Sequence, residues 1–283
     1  IPPGPAQGYP IGSARLKHLV NLRLPMAPTK TRAVVLKVMP YRETSYIVYL
    51  FSESHGLVHG LAKGMRRAKK GQNFIERGFL TELLLYARPH RDLHTLGSIQ
   101  VLEFYPITRT SLLRTAVRDV AFELILAAIT LADPHPELFD FFTRFLGSVE
   151  GEAESTVYPF VLWCFYLRFA AILGFALGLD TCIRCGRRIG AQETYMNLAK
   201  GGVECRECSR ARPQSNAVRP DVLGYLRGNA PQGQVRRAAT KGELGRITRL
   251  LADHCRYHFD VRNESKALGF LEELVGVRAG DGQ

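Results

Sequence analysis

From residue 31 to residue 105 apolar and polar side chains alternate in short runs, each closed by glycine, proline or a charged cluster. Alternation of this period, punctuated by turn residues, predicts β-strands. Five are legible, at 33–39, 45–51, 57–63, 79–87 and 96–105. Pro40, Tyr41, Arg42 and Glu43 join the first two, Gly56 turns the chain into the third, and Pro89 to Asp92 turns it between the last two. This is not the pattern of βαβ units. Five turn-linked strands in about 75 residues suggest an oligonucleotide-binding (OB) barrel, a pattern shared with other small barrels.

After Pro106 the period changes. Leu112, Leu113, Ala116, Val117, Val120, Ala121, Leu124, Ile125 and Ala128 recur at helical spacing, and Leu138, Phe141, Phe142, Phe145 and Leu146 mark a second helix beyond Pro134. Residues 157–178 are apolar except for Arg168. Their length would span a bilayer, but a central arginine costs roughly 2.5–3.5 kcal/mol there. Pro159, Gly174 and Gly178 suit a closely packed core helix, and we read the segment as the third helix of a bundle with no membrane role. Further helices are expected at 220–227, 242–259 and 264–275, with the Arg-rich stretch 230–240 as a connection. Residues 1–28, rich in Pro and Gly and without period, are read as an extension or added segment, with Met26 a candidate start.

The chain carries a formal charge of +12 with a pI near 9.6, so a polyanion such as a phosphate backbone is attracted over long range. The charge is concentrated at the front. Residues 29–110 hold thirteen Lys and Arg against six Asp and Glu, whereas 111–179 hold four against eight. Arg66, Arg67, Lys69 and Lys70 crowd one loop after the third strand, near Lys37, Arg42 and Lys63, with Arg88 and Arg91 at the last turn; these nine are the candidate DNA-binding residues. A charge run is as often a solvated turn. Tyr41, Tyr46, Tyr49, Phe51 and Phe74 are candidate base-stacking platforms; a barrel this small needs most of them inside, and Tyr41, in a turn, is expected to be the exposed one.

Two Cys-x2-Cys pairs, Cys182/Cys185 and Cys205/Cys208, stand nineteen residues apart. That spacing matches a four-thiolate zinc site: each pair forms a knuckle aimed at one ion, and the intervening segment folds back to complete a tetrahedron. Four thiolates leave no open position, so the expected cofactor is one structural Zn2+. Two redox or disulfide pairs would want a thioredoxin-like context that is missing here. Cys164 and Cys255, in helical patterns, are expected to be buried thiols. Arg184, Arg187, Arg188, Lys200, Arg206, Arg210 and Arg212 surround the cluster, as a solvated rim or as phosphate contacts. Paired cysteines and no recognisable signal peptide fit a reducing cytoplasm.

Ala33-Val34-Val35-Leu36, Tyr41-Arg42-Glu43-Thr44-Ser45, Leu50 to Gly56 and Leu61-Ala62-Lys63-Gly64-Met65-Arg66-Arg67, in that order, resemble the opening of the RecO family. The cysteine cluster and the closing His258-Phe259 and Ser265-Lys266-Ala267-Leu268-Gly269-Phe270-Leu271 resemble its zinc-bearing members. The resemblance, which covers nearly everything from Thr31 onward, implies an α+β multidomain protein: OB barrel 29–106, helical bundle 107–179, inserted four-cysteine zinc module 180–216 and completing helices 217–283. It implies a recombination mediator that binds single- and double-stranded DNA, anneals complementary strands and acts with RecR to load RecA where single-stranded-DNA-binding protein was, in the cytoplasm at the nucleoid. It also implies a site in the helical region for that protein's acidic tail, for which Arg114, Arg118 and Arg168 are the local cations. The extension before Thr31 and the Arg-rich 230–240 depart from the family pattern.

No covalent chemistry is expected. His135-Pro136-Glu137 with Cys182-Ile183-Arg184-Cys185 imitates a zinc deaminase signature, but Thr181 replaces its proline, the separation is long and Cys205/Cys208 would have no role. Neither a phosphate-binding Gly-x4-Gly-Lys loop nor a Gly-x-Ser-x-Gly elbow occurs. The competing non-enzymatic reading is a zinc-ribbon transcription or RNA-binding factor, which would use the same barrel and the same closed site.

Overall fold

The computed structural model describes residues 28–67, 74–88, 91–190, 192–209 and 216–277. Strands β1 (Thr29–Tyr41), β2 (Ser45–Ser52), β3 (Gly56–Ala62), β4 (Leu80–Tyr86) and β5 (Leu93–Glu103) close into a barrel in the order β1-β2-β3-β5-β4. All neighbours are antiparallel except β3 and β5, which pair in parallel from His59↔Leu93 to Leu61↔Thr95. That closure is the OB topology. It brings Gly60 against the side chain of Leu96, where a Cβ would lie 2.4 Å from Cδ2, so any larger residue would have to displace that leucine from the barrel core. The first hairpin differs slightly from expectation: β1 runs on through Pro40 and Tyr41, and Arg42 to Thr44 makes the turn. Beyond Val34 strand β1 pairs only with β2, and an edge tolerates a proline that cannot donate.

Alternation along the strands builds two cores. Ala33, Val35, Val48, Leu50, Val58, Leu83 and Leu85 point into the barrel. Val34, Leu36, Phe51, Leu57 and Leu80, on the opposite face, belong to the core of the helical region. Phe51 meets the rings of Phe139 and Phe142 at 5.8 and 5.9 Å. Each fully buried side chain of this kind is worth roughly 1.5–3 kcal/mol, so barrel and helices share one apolar seam. Ion pairs rim it: Arg32 with Glu53 (2.7 Å) and Asp140 (3.3 Å), Arg77 with Asp119 (2.6 Å), and Arg109 with Glu76. Half-exposed pairs add little stability and mainly fix orientation.

The helical region begins with α1 (Pro106–Thr110), α2 (Leu112–Ala128) and α3 (Pro136–Gly151). The expected single helix over 157–178 is divided. After a turn, α4 (Glu154–Thr156), the chain passes through a wide turn at Val157–Val161 in which Tyr158 is extended (φ −119°, ψ 132°), and α5 covers only Leu162–Ile172. Pro159 forces its predecessor out of the helical region, and Gly174 at φ +88° ends the helix. Among the described residues this is the one segment long and apolar enough to cross a membrane. Its side chains Leu162, Trp163, Phe165, Tyr166 and Phe169 are buried in protein, as a core helix requires. Trp163 Nε1 donates to Thr248 Oγ1 at 2.8 Å, tying α5 to α8 (Lys241–His258).

Between them the cysteine segment folds as a three-stranded sheet, β7-β6-β8, from β6 (Thr194–Asn197), β7 (Gly202–Cys205) and β8 (Ala217–Val218). Helices α6 (Pro220–Leu226), α7 (Gln232–Ala238), α8 and α9 (Lys266–Val275) follow. Helix α7 corrects the expectation of a connection over 230–240. Its one fully buried side chain, Val235, docks in the common core, and Arg236 donates to Ser155 O; a tertiary anchor overrides a weak local pattern. Helix α8 starts on a reciprocal cap, Thr240 with Glu243.

Candidate nucleic-acid interface and metal centre

On the open part of the barrel, Lys37 stands on β1, Arg42 in the first turn, Lys63 and Arg66 just after β3, and Arg88 and Arg91 at the β4–β5 turn. All six are exposed. Among the described residues none forms an ion pair, in contrast to Arg32, Arg77 and Arg109 at the seam. Arg66 Nη1 donates to Arg42 O at 3.0 Å, which holds the turn after β3 against the first hairpin. The main chain of Arg67 completes a single 3-10 turn, Met65–Arg67; Lys69 and Lys70 lie outside the described residues. The six cations therefore keep their charge available on one small barrel, where a polyanion would find it.

The aromatic expectations sort differently. Phe51 is buried in the seam, whereas Tyr41, Tyr46 and Tyr49 are half-buried. Tyr41 is thus not the exposed member: the Arg42 guanidinium lies 5.2 Å over its ring, and Phe74, at 52% exposure, is the open one. His59, which alternation alone did not single out, sits directly across from Tyr49. The signal was present in the register, since the hairpin from Ser52 to Gly56 fixes which residues face each other.

The four cysteines converge. The Sγ atoms of Cys182, Cys185, Cys205 and Cys208 all lie within 4.8 Å of one another, with Cys185 and Cys205 at 3.9 Å. A tetrahedral ion with sulfur ligands at about 2.3 Å separates its sulfurs by about 3.8 Å. The first knuckle is built as its sequence suggests: Gly186 takes φ +72° and its N–H reaches Cys182 O at 2.8 Å. In the second, the N–H groups of Cys208 and Ser209 both donate to Cys205 O at 3.0 Å. Burial disfavours the Cys182 thiolate, but backbone N–H groups of Cys205, Cys185 and Arg184 outweigh it and hold its pKa at about 6. The neighbouring sulfurs of Cys205 and Cys185 push Cys208 up to about 12. Four thiolates this close repel one another and need a cation among them; the donor set fits a closed tetrahedral metal site.

Of the surrounding arginines, Arg187 pairs with Glu207 at 2.9 Å and Arg184 donates to Cys208 O at 2.8 Å, while Arg188, Lys200 and Arg206 are exposed. Arg210 and Arg212 lie outside the described residues. Cys255 is buried as expected, its thiol pushed up by burial, but Cys164 is exposed on α5.

The three helical cations do not converge. Arg114 is buried and donates to three carbonyls at the end of α3, Val149, Glu150 (3.2 Å) and Glu152 (2.7 Å). Arg118 is buried against Asp119 at 2.8 Å. Arg168 is exposed on α5, one turn from Cys164. Beside it, Phe141, Phe145, Phe160 and Phe165 help line a groove of about 290 Å³ with Arg144 on its wall. Arg144 had no distinguishing sequence signal, because its place follows from how α3 and α5 pack.

A closed OB barrel fused through an apolar seam to a helical region, with a four-cysteine cluster inserted in the helices, defines a multidomain OB-fold protein with a built-in cysteine module. Residues 26–105 match the family model for the N-terminal part of recombination protein O, and residues 109–267 match that for its C-terminal part. Similar curated proteins carry the description "DNA repair protein RecO". That of Syntrophus aciditrophicus is 31% identical over 200 residues, 70% of this chain and 74% of the relative. The Geobacter metallireducens protein is 31% identical over 203 residues (71% and 80%), and that of Salinibacter ruber is 29% identical over 258 residues (89% and 96%). The chain belongs to the RecO family of DNA repair proteins.

Proposed function

We propose that this protein is a non-enzymatic recombination mediator. It binds single- and double-stranded DNA on its barrel, anneals complementary strands and, with RecR, promotes loading of RecA onto DNA coated by single-stranded-DNA-binding protein, in the cytoplasm at the nucleoid. The observation that carries this reading is the set of exposed cations Lys37, Arg42, Lys63, Arg66, Arg88 and Arg91 on an OB barrel, none of them ion-paired among the described residues, extended by Arg67, Lys69 and Lys70 of the same loop. Annealing needs no bond chemistry. It needs cations that offset the repulsion of two phosphate backbones while base edges stay free to pair.

In the same reading Cys182, Cys185, Cys205 and Cys208 hold one structural Zn2+, and the chain divides into a barrel (29–106), helical bundle (107–179), zinc module (180–216) and completing helices (217–283). The zinc ion would supply folding energy to the module. For the acidic, apolar tail of single-stranded-DNA-binding protein, the groove between α3 and α5 offers aromatic walls with Arg144 in its lining, and Arg168 is exposed one helical turn beyond the lining residue Cys164. Arg114 and Arg118 are already satisfied by carbonyls and by Asp119 and serve the fold.

The test is annealing of two complementary oligonucleotides of arbitrary sequence, one coated with single-stranded-DNA-binding protein, without nucleotide and across a salt series. Acceleration that fades with salt is expected. No acceleration by zinc-loaded protein, together with preference for one duplex or RNA sequence, would replace the mediator by a zinc-ribbon transcription or RNA-binding factor.

A further inference from the structure

The outward face of β1, β2 and β3 has two halves. One half, Val34, Leu36, Phe51 and Leu57, is covered by the helices. The other continues along the same strands as Lys37, Met39, Ile47, Tyr49, His59 and Leu61, a half-buried apolar and aromatic surface apart from the exposed lysine. Register makes Lys37, Tyr49 and His59 a single cross-strand row: Lys37 pairs with Tyr49, and Tyr49 with His59. The two rings lie 4.1 Å apart at 49°, and the Lys37 ammonium stands 5.4 Å over the tyrosine. Lys63, Arg42 and Arg66 are carried by the ends of the same strands.

We propose that Tyr49 and His59 are a base-stacking platform on which this protein selects unpaired nucleotides. The inference rests on the reading of the barrel as the DNA-binding surface, and assigns to it a second chemistry besides phosphate charge. Lys37 is long and exposed, so it can yield the tyrosine face to a base and turn its ammonium to the adjoining phosphate. Burial lowers the pKa of His59, which keeps the imidazole a neutral, flat partner near neutral pH. Stacking occupies a base's faces and leaves its pairing edge open, which is what a strand presented for annealing requires. A duplex, whose bases already stack on each other, gains nothing from such a platform.

The experiment compares binding of the zinc-loaded full chain to oligo-dT and to an abasic deoxyribose-phosphate strand of the same length. The unaltered protein is expected to favour oligo-dT by about 5- to 150-fold, the range for one stacked base. In Y49L/H59L that preference disappears, while affinity for the abasic strand and its salt dependence stay unchanged. Equal binding of both strands by the unaltered protein, or a preference that survives in the variant, overturns the platform but leaves the cationic surface standing. Binding of neither strand overturns the cationic surface and the platform with it. An arm that needs no variant is photocrosslinking with 5-iodouracil-substituted oligo-dT: crosslinks at Tyr49 or His59 are expected, and crosslinks confined to other residues refute the assignment.

Discussion

His254 and His258 lie one turn apart on α8, their rings 4.5 Å from each other. His254 Nε2 faces Phe175 O at 2.9 Å and His258 Nε2 faces Leu198 O at 3.0 Å, so the pair holds the chain before the first cysteine pair, and the turn between the two pairs, to the helical core. His254 Nδ1 is buried and has no hydrogen-bond partner among the described residues. One proton on Nε2 suffices for the hydrogen bond; a second would charge a buried ring beside another histidine. Burial accordingly lowers the His254 pKa from 6.5. Below that value the unfolded chain binds a proton that the folded chain does not, so stability is complete above about pH 6.5 and falls as pH drops beneath it. The urea midpoint, followed by fluorescence of the buried Trp163, is expected to be lower at pH 5.5 than at pH 7.5. His254→Gln, which can still donate to Phe175 O, should reduce that difference. An undiminished difference would assign the effect to His55, His59 and His94, whose pKa values burial also lowers.

At the scale of elements, the seam and the cysteine module make separate predictions. Phe51 is a barrel residue whose ring packs on α3, fully buried between Phe139 and Phe142. Phe51→Ala is expected to cost about 3–5 kcal/mol, read as a lower urea midpoint by Trp163 fluorescence. Because Trp163 sits in the helical core and not in the barrel, its response measures how far the two cores unfold together. A midpoint shift in barrel signals alone would show that the seam does not couple them. The cysteine module has short strands, and in the proposed reading its folding draws on the zinc ion as well as on buried Ile189, Met196, Val203 and Val218. Structural zinc contributes about 10–16 kcal/mol in small modules at pH 7. C182S/C205S is therefore expected to lose stoichiometric zinc and the slow hydrogen exchange of β6 and β7. Retained protection without metal would mean that His254 and His258 suffice to hold the module.

At the scale of the whole molecule, charge is divided between the barrel and the helical bundle that follows it. The barrel presents exposed cations, the helical bundle carries an excess of carboxylates, and the seam between them is closed by paired arginines. Replacing Arg42, Lys63 and Arg66 by Ala together should lower the slope of log affinity against log salt on single strands by about 2, at about 0.7 per phosphate contact. An unchanged slope would move the phosphate path off this face of the barrel. Replacing Arg32 and Arg77, which are held by Glu53 and Asp119, should leave the slope nearly intact.

By itself the sequence determined the five strands, the order of barrel, helices and cysteine pairs, and the family, because each rests on information local to a few tens of residues: alternation, turn chemistry and ligand spacing. It also placed the thiolates, since two knuckles of fixed length can reach one ion. Tertiary structure alone decided which cations are drawn into ion pairs, because Arg77 and Lys63 look alike until Asp119 is brought beside one of them. It decided that 232–238 is a helix, through the burial of Val235 in a core made elsewhere. It decided that Phe51 faces the helices while Tyr49, two residues away on the same strand face, stays half-open. Alternation says which residues share a face, but only the packing of distant segments says how much of that face is covered.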